Sequence, residues 1–517
     1  MAESKKRVLL NNDYYNIFQV TPPVEDQDIY DAVDKVVATQ VDTLCIDVPP
    51  TITDDRLIDH DLDAIYQHPD SDACIRNLHA LAAAGKDPYA MLLQRAKQKK
   101  LKFIASMRMN DTHYKEQPFN PFVEGFYYDH LKDRLSPNPQ GRTDTEYDYR
   151  QSAVRNRYLD IARTVLERYD VDGLELNFTR NCRFFPQPYA EECAPIMTQF
   201  VRDIRKLLDK AGKLQKKKME LVALVPYNLY TCRKEGLDLP AWARLGLVNT
   251  VALSSPFHAT FDHDIVDAKV KLPGVDVLGG CDRNMSFSFS GSTRVVPMHT
   301  YRAMAANYLQ QGADGIHLFN VMSWTMNFAK ANAMTKRHGG QGETVDDSPI
   351  DYDRNLMDEV GSLKTLEHRD KLYIYAPGRD SRDGSLPIHV PAMGEVTVTL
   401  SVGDDIAAAA KANKIESIEL QAISSDCDDY NNYTLKLNSI DLARQYAFTA
   451  YAEAPPHALL FHEPAWRGAL PDVKYVRRHP VRAIDLQTGV NRITIKSWKH
   501  AMTVVGIELA IRYRHAR

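Results

Sequence analysis

Eight short apolar, β-branched runs, separated by stretches of helical length, occupy the first two thirds of the 517-residue chain, and this alternation restricts the fold more than any other feature. The runs fall at 7–11, 42–48, 102–107, 173–178, 220–225, 248–253, 275–279 and 315–319. Strands alternating with amphipathic helices build a parallel sheet, because each helix carries the chain back along the strands and buries its apolar stripe on them. Helices are expected at 148–169, 190–211 and 298–311, the last stopped by Gly312. In the first of these, Tyr158, Ile161, Val165, Leu166 and Tyr169 recur at helical spacing and form one core-facing stripe. Eight such units predict a (β/α)8 TIM barrel. A doubly wound open sheet would carry a Gly-rich phosphate turn after its first strand, whereas here that strand runs into Asn11-Asn12-Asp13-Tyr14.

Beyond about residue 370 the texture changes to short alternating strands, at 396–402, 417–421, 433–437, 491–497 and 504–513, with turn residues between them. That is the pattern of an antiparallel β-sandwich. A helix at 352–367 precedes a first strand at 371–376, so the chain divides into a barrel, 1–368, and a sandwich, 369–517. The chain is also too long for one compact core. Two connections, 49–87 and 111–145, are long enough to wall the mouth of the barrel.

A formal charge of −4 gives no reason to expect nucleic acid or an anionic membrane as partner. The longest basic run, Lys216 to Lys218 with Lys213 nearby, reads as a solvated turn. No run approaches the roughly 20 apolar residues that span a bilayer, and Met1 to Val8 has lysines without an apolar segment behind them, so a soluble chain is expected. Localisation stays open between the cytoplasm and secretion with a leader removed. Cysteines 45, 74, 182, 193, 232, 281 and 427 form no CxxC pair, which points to reduced thiols. A homo-oligomer is compatible with all of this.

Reactive groups of such a barrel come from the C-terminal ends of the strands and the loops just beyond. Strands 1 to 3 deliver Asn11, Asn12 and Asp13, then Asp47, then Arg108, Asn110, Asp111 and His113. Strands 4 to 6 add Glu175, Asn177 and Arg180, then Tyr227 and Asn228, then Ser254, Ser255 and His258. Strands 7 and 8 supply Asp282, Arg283 and Asn284, then His317, Asn320 and Trp324. Strand ends are polar in any barrel because they meet water. A full ring of amides, guanidiniums, carboxylates and an aromatic nevertheless suits a polyhydroxylated ligand, whose hydroxyls and C–H faces need such partners. Strand alternation turns Glu175 and Asn177 inward near the top of the barrel and Leu174, Leu176 and Phe178 toward the helices.

The run DGLELNFTR at 172–180, preceded by ERYDV at 167–171, resembles the fourth-strand motif of the family 10-like glycosyl hydrolases, a bacterial group rich in planctomycete members. The NND at 11–13, the RMND at 108–111 followed by His113, the SSPF at 254–257 and the GSLKTLEHRDKLY at 361–373 look similar too. The resemblance implies a glycosidase-type barrel with a C-terminal sandwich and a carbohydrate substrate, in a group whose activity is mostly inferred. Two departures matter. The group's fourth strand more often reads DGIELDFMR, so its second acid is Asn177 here. The DxDxE run of family 18 chitinases becomes Glu175, Asn177, Thr179, which removes their acid, and strand 7 does not end in the Glu that retaining enzymes of the largest barrel clan use.

Hydrolysis needs two carboxyl groups flanking the glycosidic bond. Glu175 is the first candidate, with Asp282 or Asp111 as partner and Asp13 and Asp47 behind them; Glu175 with Asp282 is expected to form an inverting pair. Arg108, Arg180 and Arg283 either seat an acidic or sulfated sugar or pair with these acids. The expected function is therefore a glycoside hydrolase acting on an oligo- or polysaccharide, without a cofactor. A non-catalytic sugar-binding barrel is the alternative, favoured by Asn177, and a polysaccharide lyase using Tyr227 or His113 as base is another. A metal site from Asp111 and His113 with Asp13, Asp47, His258 or His317 is a weaker reading, since neither HxH nor HExxH occurs. In the sandwich, Trp466, Trp498, Tyr430 and Tyr433 either form a stacking platform or belong to the core, and Asp426, Asp428 and Asp429 read as a turn.

Overall fold

The computed structural model describes residues 7–18, 20, 22–52, 69–111, 115, 125–136, 145–255, 260–261, 263–282, 284–286, 293–295, 298–321, 352–375, 386–427, 429, 431–443, 446–448 and 475–514. Eight parallel strands close into a barrel: β1 (Arg7–Asn12), β2 (Thr43–Asp47), β3 (Lys102–Arg108), β4 (Gly173–Asn177), β5 (Glu220–Pro226), β6 (Thr250–Ser254), β7 (Asp276–Asp282) and β8 (Gly315–Phe319). Closure is made by β1 on β8, from Arg7 opposite Gly315 to Asn11 opposite Phe319. Each expected run became a strand because its apolar residues face the helices, while the barrel interior has its own smaller apolar cluster that includes Leu9, Ile104, Val222 and Leu278.

Helix α1 (Ser152–Arg168) buries Tyr158, Ile161, Val165 and Leu166 as its stripe requires, and α2 (Ala194–Gln215) ends in a left-handed Lys216, φ 54°. The expected helix at 352–367 is broken. It forms as Tyr352–Glu359 and Leu363–Leu366, because the chain bends at Gly361, where a Cβ would lie 2.6 Å from Val8 Cγ2 and where the backbone N–H donates to Gln40 Oε1 at 2.6 Å.

Apart from a two-stranded antiparallel ribbon after β7, Asn284–Ser286 with Thr293–Val295, the remaining described strands form two antiparallel sheets, with Lys371–Ile374, Met502–Tyr513, Ile415–Ser424 and Tyr475–Pro480 in one and Glu395–Val402, Gly489–Ser497 and Tyr433–Leu437 in the other. These are the layers of a sandwich. The helix Met298–Gln310 lies between barrel and sandwich and is buried on nearly every side, from Tyr301 to Leu309. Its Tyr308 donates to Thr260 O on the barrel side, and its Asn307 donates to Ser401 O on the sandwich side. Gly403 is required there, since a Cβ would come within 2.4 Å of the Ala306 carbonyl carbon.

At the N-terminal end of the barrel Arg7 donates to Glu220 at 2.6 and 3.2 Å and to Thr250 Oγ1 at 3.1 Å. Among the described residues no helix is long and apolar enough to cross a membrane, and no disulfide joins any of the seven cysteines.

Candidate active site at the barrel mouth

The strand registers stack the inward-facing side chains in layers contributed by alternate strands. Leu9, Ile104, Val222 and Leu278 fill one layer. Above it lie Cys45, Glu175, Ala252 and His317, then Asn11, Ser106, Leu224 and Gly280, then Asp47, Asn177, Ser254 and Phe319. Arg108, Pro226 and Asp282 end their strands at the mouth.

Glu175 points inward, as alternation predicts, but its depth corrects the expectation. It sits in the middle of the barrel, fully buried, with two layers of side chains between it and the mouth. Asn11 Nδ2 donates to its Oε1 at 2.7 Å, and His317 Nε2 lies 2.8 Å from its Oε2. Burial pushes the Glu175 carboxyl up, yet His317, Ser106 and Asn11 together outweigh burial and hold it below the usual carboxylate range. A substrate would have to displace the layers above to reach it. Cys45 Sγ, a Glu175 oxygen and a His317 nitrogen lie within 4.8 Å of one another, and the Glu175–His317 contact is already made between two of them.

The mouth is organised by Arg108. Its guanidinium contacts Asp13 and Asp47 and donates to Asp111 Oδ2 at 2.7 Å. Asp13 also receives Asn320 Nδ2 at 2.5 Å and has Arg180 at 3.5 Å, and its backbone N–H donates to Asn320 Oδ1 at 3.0 Å. Asn320 reaches back in this way because it takes the left-handed conformation, φ 57°, one residue past β8. Arg180 lies 5.4 Å above the Phe319 ring. Burial pushes the Asp47 carboxyl up to about 8, against the pull of the Ser106 hydroxyl and Arg180. Asp282 ends β7, on the strand opposite β3, and is 2% exposed.

Several residues expected to meet substrate do other work. Asn110 is fully buried; it accepts from Tyr147 N–H at 2.8 Å and donates to Arg183 O at 2.5 Å, pinning two loops together. Asn228 accepts from Thr231 N–H at 2.7 Å as the N-cap of the helix Leu229–Lys234. Asn12 falls on the opposite face of β1 from Asn11 and is 3% exposed. Tyr227 is buried and leads away from the mouth, toward the sandwich. Asn177 faces inward but accepts from Thr179 N–H and Oγ1, at 3.0 and 2.7 Å. His113, His258, Arg283 and Trp324 lie outside the described residues, as do Tyr430, Asp428 and Trp466.

In the sandwich Tyr433 is buried, whereas Trp498 is 49% exposed, with the Lys496 ammonium 4.3 Å from its ring. Asp426 accepts from Thr503 and Asp429 pairs with Lys499. The partners of Glu175 escaped sequence reasoning. The signal for them was present in the inward positions of strands 1, 3 and 8, but it becomes readable only once the stagger between strands is known.

A comparison with protein-family models finds no match, and one with curated protein sequences finds none either. Among solved structures the chain is similar to alpha-L-fucosidase isoenzyme 2 from Paenibacillus thiaminolyticus, with 10% identity and a TM-score of 0.39 over 65% of this chain and 50% of that one. It is also similar to the PgaB (BpsB) glycoside hydrolase domain from Bordetella bronchiseptica, with 11% identity and a TM-score of 0.40 over 66% of this chain and 100% of that one. The tryptophan synthase of Mycobacterium tuberculosis matches nearly as well, with 12% identity and a TM-score of 0.31 over 64% and 90% of the two chains. The chain thus spans half the length of the fucosidase. At such distances these likenesses bear on neither the activity of the mouth nor its ligand.

Proposed function

We propose that the chain is a glycoside hydrolase acting on a neutral oligo- or polysaccharide at the C-terminal mouth of the barrel, with Asp47 as proton donor and Asp282 as the base that activates water. The observation that carries this reading is the division among the mouth carboxyls. Asp47 is pushed up to about 8 by burial even though it too touches the Arg108 guanidinium, which Asp13 and Asp111 share. A glycosidase needs such a division, one carboxyl carrying a proton to the leaving oxygen and another free to take one from water. Asp47 and Asp282 end strands that are not neighbours, which favours the wider separation of inversion, about 6.5–9.5 Å, over the 5–5.5 Å or so of retention.

Glu175 has no part in proton transfer on this reading; it is the fixed anion beneath the site. A neutral sugar is favoured over an acidic or sulfated one because both described arginines of the mouth already face carboxylates. One layer below, Asn177 Nδ2 has no partner and is placed to donate to a sugar hydroxyl, a contribution of about 3 kcal/mol where charge develops.

A second reading, a glycan-binding barrel without turnover, draws support from Asn177 and Thr179, which bond each other at positions where chitinases carry acids. Incubating the chain with a panel of neutral and uronic-acid glycans, while following reducing ends and the absorbance of unsaturated products, separates the two. Reducing ends without unsaturation are expected. Binding without product supports the second reading, and unsaturated product defeats both in favour of elimination.

A further inference from the structure

We propose, resting on the reading of Asp47 as the proton donor, that Ser106 is its positioning residue. The buried Ser106 hydroxyl gives its one hydrogen bond to Glu175 while Asp47 is protonated, and to Asp47 once that proton has passed to the substrate.

The backbone puts Ser106 between the two acids. It is the Cα partner of Asp47 on β2 and of Glu175 on β4, and partners in a parallel register turn their side chains to the same face of the sheet. Because the strands of a barrel are staggered, the three stand on successive layers, with Glu175 lowest and Asp47 nearest the mouth. Ser106 and Glu175 are fully buried. Substrate at the mouth does not touch Ser106, so any effect it has on the reaction runs through Asp47.

The hydroxyl is already half assigned. Asn11 Nδ2 donates to Ser106 Oγ at 3.1 Å and to Glu175 Oε1 at 2.7 Å. Ser106 Oγ is thereby the acceptor for Asn11, and its single hydrogen remains for a carboxylate. Two compete for it, and the hydroxyl draws both toward their ionised forms. Apart from the Arg108 guanidinium that touches it, no hydrogen-bond donor is seated on either Asp47 oxygen among the described residues. When Asp47 gives its proton to the glycosidic oxygen, the Ser106 O–H turns to the new carboxylate and keeps its own proton, while Asn11 and His317 still hold Glu175. The turn makes Asp47 a stronger acid at the moment of donation, against the burial that holds its proton.

Other groups face Asp47 as well. Arg108 and Asp111 come from β3 and its loop, Glu175 and Arg180 from β4 and its loop, and Asp13 from the β1 loop shares Arg108. Tyr15 and Tyr89 lie close by, and Cys45 and His317 adjoin Glu175. Burial keeps both phenols and the thiol protonated. Asp47→Asn identifies which part of the titration belongs to Asp47.

The test measures melting temperature against pH in the parent, Ser106→Ala, Ser106→Thr and Asp47→Asn, and kcat/KM against pH on whichever glycan the chain hydrolyses. The alkaline end of the Asp47 window, near 8 in the parent, should move up by about 1 pH unit in Ser106→Ala, as expected for one lost hydrogen bond to a charged group. On the same ground kcat should fall by about 10-fold with KM unchanged. Ser106→Thr keeps the hydroxyl and should restore both; should it not fold, the alanine shift decides alone. A window that stays near 8 or moves down in Ser106→Ala overturns the role of Ser106, as does a melting temperature lowered equally at every pH. A folded Ser106→Thr that behaves as the alanine variant overturns it too. An alkaline slope that survives Asp47→Asn overturns Asp47 as the titrating acid. A window that shifts in a chain cleaving no glycan sinks the hydrolase reading and leaves the link between Ser106 and Asp47 standing.

Discussion

At the N-terminal end of the barrel Arg7 meets Glu220 through two hydrogen bonds, while at the C-terminal end Arg108 meets Asp13, Asp47 and Asp111. The lower arrangement is matched. Glu220 is held below the usual carboxylate range because Arg7 and Thr250 outweigh its burial, and the Arg7 guanidinium is raised in turn. The upper arrangement has more carboxyls than one guanidinium can serve, and the deepest of them, Asp47, keeps its proton to about pH 8. One end is matched in charge and holds the barrel together, and the other is left unbalanced, at the face where the proposed function places the substrate.

The comparison breaks or sharpens first on activity. Asp47→Asn and Asp282→Asn should each lower kcat by about 10²- to 10⁴-fold on whichever glycan the chain hydrolyses, the range of lost acid–base catalysis, with melting temperature little changed. Glu220→Gln should do the reverse, and an equal loss of kcat there would erase the distinction between the two ends. Glu175→Gln belongs with the lower end despite its place on the active-site strand. The amide keeps one acceptor oxygen where His317 and Asn11 now have one each, and it removes the buried charge, so urea unfolding should show about 3–5 kcal/mol of lost stability, with turnover surviving in the folded fraction.

The next effect is a pair of opposite pH dependences. Glu175 and Glu220 have lowered folded-state values, so their contribution is present above the ordinary 4.5 and is lost as pH falls through the folded values. Asp47 has a raised value. The folded state holds a proton that the unfolded chain releases between 3.8 and about 8, so stability declines as pH rises through that window and levels off above it. Melting temperature against pH should therefore lose its alkaline slope in Asp47→Asn and its acid slope in Glu220→Gln. The kcat/KM profile should carry an alkaline limb near 8 if Asp47 is the donor. The smallest effect is expected at Asn228. Replacing this N-cap by alanine should cost about 1 kcal/mol of stability and leave KM where it was; a raised KM would return Asn228 to the binding site.

How much of this could be read from the sequence differs between the strands and the site. All eight barrel strands lie where apolar β-branched runs predict them, since one periodicity settles which face of each strand meets the helices. The direction of Glu175 followed from the same rule. Its height did not, because height depends on how far each strand is staggered against the next, a property of barrel closure that no single segment carries. Asn110 and Asn228 are a different case. An amide past a strand end has the same chemistry whether it serves a sugar, a loop or a helix terminus, and only the positions of Tyr147 N–H and Thr231 N–H tell these apart. The break at Gly361 was legible in principle, but the side chain that crowds it, Val8, is more than 350 residues away in the chain.

The helix Met298–Gln310 is buried along most of its surface, with Tyr308 tied to the barrel and Asn307 to the sandwich. One segment therefore completes two hydrophobic interiors, and neither can come apart without stripping it bare. Heat or denaturant should dismantle both halves in a single step, and a protease cut beside this helix would yield two sticky fragments in place of two independent modules.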